Sequence, residues 1–116
     1  MSGRTILIHG LADARAALAN ARAAGEAVTL LSAPVAAAHG GAAWFAEVIA
    51  QAAREFPHAR FEAILDCGDG AGYAMAALRA GIKTLRFTGS PEIASKLDDM
   101  ARACGARVIR DESSTP

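Results

Sequence analysis

The chain has 116 residues, of which 53% are hydrophobic and 21% charged, and this composition is typical of one globular domain rather than of a disordered chain. Twelve basic and twelve acidic residues give a formal net charge of zero without any basic cluster, so we expect no nucleic-acid partner, because neutralising phosphates requires concentrated positive charge. No apolar run approaches the roughly 20 residues needed to cross a bilayer, so we expect no membrane insertion.

Five short apolar runs alternate with four helical segments along the chain. In order, the runs are residues 5–8, 27–31, 63–65, 84–87 and 107–109. Strands that alternate with helices of about ten to fifteen residues are typical of βαβ units and a parallel sheet. The first three runs are nearly continuous in apolar residues, which predicts strands covered on both faces. The last two include or adjoin Lys83, Arg86 and Arg107, which favours positions nearer a sheet edge.

The helical segments have recognisable faces and ends. In the second, we expect Trp44 and Phe45 to belong to the core, and in the fourth, Met100 lies on the apolar stripe. Ser90 can cap the fourth helix, with Pro91 in its first turn. Glycine follows three of the helices at positions where it serves as a left-handed stop, and these residues are Gly25, Gly81 and Gly105.

We therefore predict an α/β fold with a single domain at residues 1–111 and a polar tail at residues 112–116 that frays. The predicted architecture is a three-layer α/β/α sandwich with a five-stranded parallel sheet, flavodoxin-like or Rossmann-like, in which the strand order 2-1-3-4-5 is favoured. The structural alternative is a fragment of a (βα)₈ barrel. A complete barrel needs about 250 residues, so only a half-barrel that dimerises fits this length.

The carboxyl ends of the predicted strands form the edge where we expect a binding site, because ligands of open α/β sheets bind there. The most informative junction is residues 63–73, where an apolar run ends at an acidic residue and a thiol and then turns through three alternating glycines. Ser32 and Arg110 also stand at strand ends. The candidate ligand-binding residues are His9, Gly10, Asp66, Cys67, Gly68, Asp69, Gly70, Gly72, Thr88 and Ser90.

The turn that contains Gly68, Gly70 and Gly72 has two interpretations. Glycines let the backbone approach a ligand, and unpaired N–H groups at a helix start attract anions. A tight strand-to-helix connection with Asp69 as the helix cap would need the same residues. The G-x-G-x-G spacing is neither the dinucleotide fingerprint nor a Walker sequence, so it indicates no particular nucleotide.

Asp66 and Cys67 also leave two interpretations open. The carboxylate can act as a base or bind a cation, and a thiol near a helix N-terminus can have a lowered pKa. Equally, Asp66 can accept hydrogen bonds within the turn, and Cys67 can be a small buried hydrophobe. If Arg86 is buried it needs a partner such as Asp66, although an edge or interface position is the preferred explanation.

The strand ends of the second half resemble those of bacterial response-regulator receiver domains. Those domains have a phosphoacceptor aspartate ending strand three, a Thr or Ser ending strand four and a lysine ending strand five. Asp66, Thr88 and Arg110 stand at these places, so arginine replaces the lysine. Ile8-His9-Gly10 replaces the acidic pair that binds magnesium after strand one. The resemblance thus implies a receiver that does not take phosphate through magnesium.

Three functions remain open from the sequence. The leading hypothesis is a small cytoplasmic α/β domain that binds an anionic small molecule, bearing phosphate or carboxylate groups, at the strand ends. The second is a non-enzymatic protein-interaction or signalling module with a degenerate receiver-like fold, and the third is a small enzyme that uses Asp66 or Cys67. The cytoplasm is favoured because no signal-peptide pattern or disulfide framework is present. We expect no metal site, the cofactor stays unidentified, and the polar-edged strands are compatible with a homo-oligomer.

Overall fold

The computed structural model describes residues 4–33 and 41–110. The strands and helices of this part, in chain order, are β1 (Arg4–Ile8), α1 (Leu11–Ala24), β2 (Val28–Ser32), α2 (Ala42–Glu55), β3 (Phe61–Asp66), α3 (Ala71–Arg79), β4 (Thr84–Arg86), α4 (Pro91–Ala103) and β5 (Arg107–Ile109). All four strand pairings between them are parallel, which confirms the α/β class and the five-stranded parallel sheet. The predicted tail at residues 112–116 lies outside the described residues.

The strand order of the sheet is β1-β2-β3-β4-β5, so the predicted order 2-1-3-4-5 is wrong. β3 is the central strand, and β1 lies at an edge, where the side chain of Leu7 is 47% exposed. The apolar run at residues 5–8 predicted a strand covered on both faces, but apolar composition does not distinguish a central strand from an apolar edge strand. The observed order is the sequential one of a (βα)₈ barrel.

The sequential order decides where the helices lie. Right-handed crossovers that all step in one direction put every helix on the same side of the sheet. The contacts agree, because α1 packs on α2, α2 on α3 and α3 on α4. Leu30 and Leu65 point to the helix side and belong to the core, whereas Leu7 and Leu31 share the opposite face and do not. The described helices thus form one layer, where the prediction had two.

Local sequence signals are confirmed at the helix ends. The N–H of Ile93 donates to Ser90 Oγ at 3.3 Å, and Pro91 occupies the first turn of α4 as predicted. The predicted glycine stops have left-handed backbone angles, with φ of 68° at Gly25, 88° at Gly81 and 71° at Gly105. These positions close each helix before the next strand begins.

Two large apolar side chains, Trp44, which we expected in the core, and Met100, which we placed on an apolar stripe, are exposed. Phe45 is buried under the helix layer, but its neighbour Trp44 is on the outer side of α2, and Met100 is on the outer side of α4. Successive helical residues lie about 100° apart, so only one of an adjacent aromatic pair can point squarely at the sheet.

Candidate functional site

Asp66 ends the central strand and holds the turn that follows it. Its Oδ1 accepts the N–H of Gly68 at 2.8 Å, and its Oδ2 lies 3.4 Å from Nη1 of Arg86. The side chain is only 8% exposed, and that of Arg86 is 22% exposed. Arg86 is on the inner strand β4, in register with Asp66, so the buried-pair explanation is confirmed and the edge explanation is wrong.

Ser32 contributes a contact that the sequence did not reveal. Its buried Oγ accepts the backbone N–H of Asp66 at 2.8 Å and donates to the carbonyl of Ala33 at 3.2 Å. The bond joins the ends of β2 and β3. The predicted strand order placed β2 beside β1 only, so the hydroxyl could be assigned to a strand end but not to this partner.

The glycine turn is tied to the end of β4. Gly68 has a left-handed φ of 58°, its carbonyl accepts the N–H of Thr88 at 2.8 Å, and the N–H of Gly70 donates to the carbonyl of Cys67 at 3.2 Å. The structure therefore brings Asp66, Gly68 and Thr88 together. Thr88 is exposed at this edge.

His9 and Gly10 are separated from this cluster. The N–H of His9 donates to Asp13 Oδ2 at 2.8 Å, and its Nδ1 lies 3.3 Å from the same oxygen. β1 is two strands from β3, which corresponds to about 10 Å at the usual strand spacing. The candidate residues predicted from the sequence thus divide into two groups, and Ser90 is engaged as the cap of α4.

Cys67 points into the core instead of toward the strand-end edge. It is fully buried, and this burial, together with the charge of Asp66, raises the pKa of its thiol to about 12. A thiol with such a pKa is protonated at neutral pH and is a weak nucleophile. The geometry therefore supports the interpretation of Cys67 as a small hydrophobe.

Alkylation with iodoacetamide tests this interpretation within one chain. In the folded protein at neutral pH we expect Cys104, which is exposed, to react like a free thiol and Cys67 to stay unmodified until the protein unfolds. A Cys104→Ser variant isolates the slow site. Labelling of Cys67 at the free-thiol rate in that folded variant would contradict its assignment as a buried residue. It would then support the hypothesis of an enzyme that uses Cys67.

The helix N-termini at this edge differ in whether a side-chain cap or an acidic residue complements their free N–H groups. The first turns of α1 and α4 contain Asp13 and Glu92. In contrast, α2 and α3 have Gly41 and Gly70 as their N-cap residues, with neither a side-chain cap nor an acidic residue in the first turn. α2 and α3 contact each other. In the chain, α2 precedes the central strand β3 and α3 follows it. Asp69 is exposed and precedes the N-cap of α3 by one residue.

No protein-family model matches the chain, and no curated protein is significantly similar to it. Function must therefore be argued from the geometry. Within residues 4–33 and 41–110, no three His, Cys, Asp or Glu side chains are grouped so that they could hold a metal ion. No helix of that part has the length and apolarity needed to cross a membrane.

The receiver-like strand ends differ from the receiver arrangement. Receiver domains have the flavodoxin-like order 2-1-3-4-5, which this sheet does not share. Arg110, in place of the receiver lysine, lies with its Nη2 3.3 Å from Asp98 Oδ2 on α4, and it is Arg86 that contacts Asp66. The resemblance is therefore limited to residue types at three strand ends.

Proposed function

We propose that this domain binds an anionic small molecule, bearing a phosphate or carboxylate group, at the carboxyl end of β3. The observation that supports the proposal is the N-terminus of α3, which follows the central strand and has neither a side-chain cap nor an acidic residue in its first turn. The first N–H groups of a helix have no partner within the helix and carry its positive partial charge. An anion is the ligand that such a terminus attracts.

The neighbouring groups suit the same ligand. Asp66 is paired with Arg86, which reduces its repulsion of an incoming anion. The Thr88 hydroxyl is exposed near the turn and can donate to an oxygen of the ligand. Asp69 would repel a bare anion but could contact a cation that accompanies a phosphate. Binding should therefore be measured with and without Mg²⁺.

A second function, a protein-interaction module, is favoured by one other observation. None of the described helices covers the sheet face that carries Leu7 and Leu31. This hypothesis predicts a partner surface on the sheet and no response to phosphorylated metabolites. A small enzyme has less support, because Asp66 and Cys67 are both buried.

The test is thermal unfolding with inorganic phosphate and a panel of phosphorylated and carboxylated metabolites. A ligand at about a hundred times its Kd adds about 2.7 kcal/mol, on the order of ten degrees in Tm for a domain of this size. We expect Gly72→Asp to abolish the shift, because the new carboxylate occupies the same helix terminus. A Cβ at Gly72 has no atom within 4 Å, and an acidic residue there favours the helix by about 0.3–1 kcal/mol, so folding should be preserved.

Gly72→Ala is the matched control, since it adds the same Cβ without the charge and should keep the shift. Gly70 is less suitable for substitution, because a Cβ there would lie 2.4 Å from the Tyr73 ring. A shift that survives in Gly72→Asp would place the ligand elsewhere. No shift with any compound would leave the interaction module as the better hypothesis.

A further inference from the structure

We propose that the domain self-associates by pairing the free edge of β1 with β1 of a second copy, in the antiparallel direction. This interaction surface is independent of the proposed anion site. It consists of the edge strand, the groove between that strand and α1, and the charged groups at the two ends of the groove.

The two edges of the sheet are not equivalent. Among the described residues, β1 pairs only with β2, and its outer edge is a five-residue strand without proline whose Leu7 is 47% exposed. Such an edge presents unpaired N–H and C=O groups that accept another strand. β5 has only three residues and is bounded by Arg107 and Arg110, and both shortness and charge protect an edge.

A groove of about 580 Å³ runs beside β1 and gives a partner room to approach. Beyond Asp13, its wall on α1 consists of alanines and one asparagine, whose short side chains leave the edge of the strand accessible. A partner strand placed along β1 could insert its side chains into this space. The small residues of α1 that line the groove are Ala16, Ala17, Asn20, Ala21 and Ala24.

Each end of the groove carries one basic and one acidic side chain, and a twofold axis can place Arg4 of one copy near Asp13 of the other. Arg4 and Glu26 line one end, and His9 and Asp13 line the other. In an antiparallel pair centred on Ile6, Arg4 of one copy lies opposite Ile8 of the second copy, next to that copy's Asp13 and His9. Each interface thus has the Arg4–Asp13 contact twice, whereas a parallel arrangement would place like ends together. The occupant that fits is therefore a second copy of this chain.

Sedimentation velocity over a range of protein concentrations tests the proposal. We expect a reversible monomer–dimer equilibrium in the unaltered chain and a monomer in Leu7→Lys, because lysine on an edge strand opposes pairing. Met100→Lys is the matched control, since it places the same charge on another exposed apolar residue, on α4, and should remain dimeric. Circular dichroism of each variant establishes that it is folded.

Three further variants test the assignment, and the first separates the edge from the sheet face that carries Leu7 and Leu31. Thr29→Lys puts a charge on that face one strand away from the edge, and we expect it to leave the dimer intact. Arg4→Glu should weaken the dimer while Arg4→Lys preserves it. A protein that is monomeric at every concentration, or a dimer that survives Leu7→Lys, would overturn the proposal. A dimer dissociated by Thr29→Lys would assign the contact to the sheet face and overturn it as well.

Discussion

Replacing Asp66 by asparagine is expected to lower the free energy of unfolding by about 2 kcal/mol, measured by urea denaturation at neutral pH. Asparagine keeps an oxygen for the N–H of Gly68 but removes the negative charge that lies 3.4 Å from Nη1 of Arg86. Removing one partner of a fully buried ion pair costs about 3–5 kcal/mol. The Arg86 side chain is 22% exposed, and water compensates part of the loss.

Asp98→Asn is the matched control. It removes the same kind of contact, with Arg110 at 3.3 Å, but both side chains are at least one-third exposed, so we expect a loss of no more than about 1 kcal/mol. The double variant Asp66→Asn with Arg86→Met should recover part of the stability, because the guanidinium charge is removed together with the carboxylate charge. Equal losses in the free energy of unfolding for Asp66→Asn and Asp98→Asn would contradict the assignment of Asp66 and Arg86 as a buried pair. Unchanged stability in Asp66→Asn with loss of ligand binding would make Asp66 a ligand group.

Gly89→Ala is expected to destabilise the domain by about 1–3 kcal/mol, the usual cost of overpacking a core. A Cβ at this position would lie 2.4 Å from Cζ of Phe87, whose ring is only 1% exposed. The buried ring has no free space beside it, so the added methyl group must displace either the packed core around Phe87 or the loop before α4. The measurement is again the urea midpoint, with the slope checked for two-state unfolding.

Gly72→Ala is the matched glycine substitution, because its new methyl group meets nothing within 4 Å. Alanine is favoured over glycine within helices by about 0.8–1.0 kcal/mol, so the variant should be as stable as the parent or slightly more stable. We therefore expect Gly89→Ala to lower the free energy of unfolding and Gly72→Ala to leave it unchanged or raise it slightly. A Gly89→Ala protein as stable as the parent would show that the loop relaxes without cost.

The sequence predicted the features that depend on nearby residues. The alternation of strands and helices, the cap at Ser90 and the left-handed glycine at Gly25 follow from local chemistry, and the structure confirms each of them. The carboxyl-end location of Asp66 and Thr88 follows from the alternation as well. These signals are independent of which strands are neighbours.

The strand order depends on information that the local pattern lacks. An apolar run such as residues 5–8 suits either a central strand or an exposed edge, and right-handed crossovers are compatible with both orders. The wrong order then concealed the contact of Ser32 with Asp66, because it separated β2 from β3. The order 2-1-3-4-5 contains a reversal of strand order, and the sequential sheet has no such reversal.

The sequential order has a consequence for how the chain folds. Each of the five described strands pairs with the strands directly before or after it in the chain, so each pairing closes a loop of one helix and its connections. Short loops have a lower entropic cost of closure, and contacts between near neighbours in sequence favour fast folding. As in a solenoid, stability is then close to a sum of terms between adjacent units. Damage at β5 would remain confined to one end, whereas damage at β3 would divide the domain into two halves that cannot support each other.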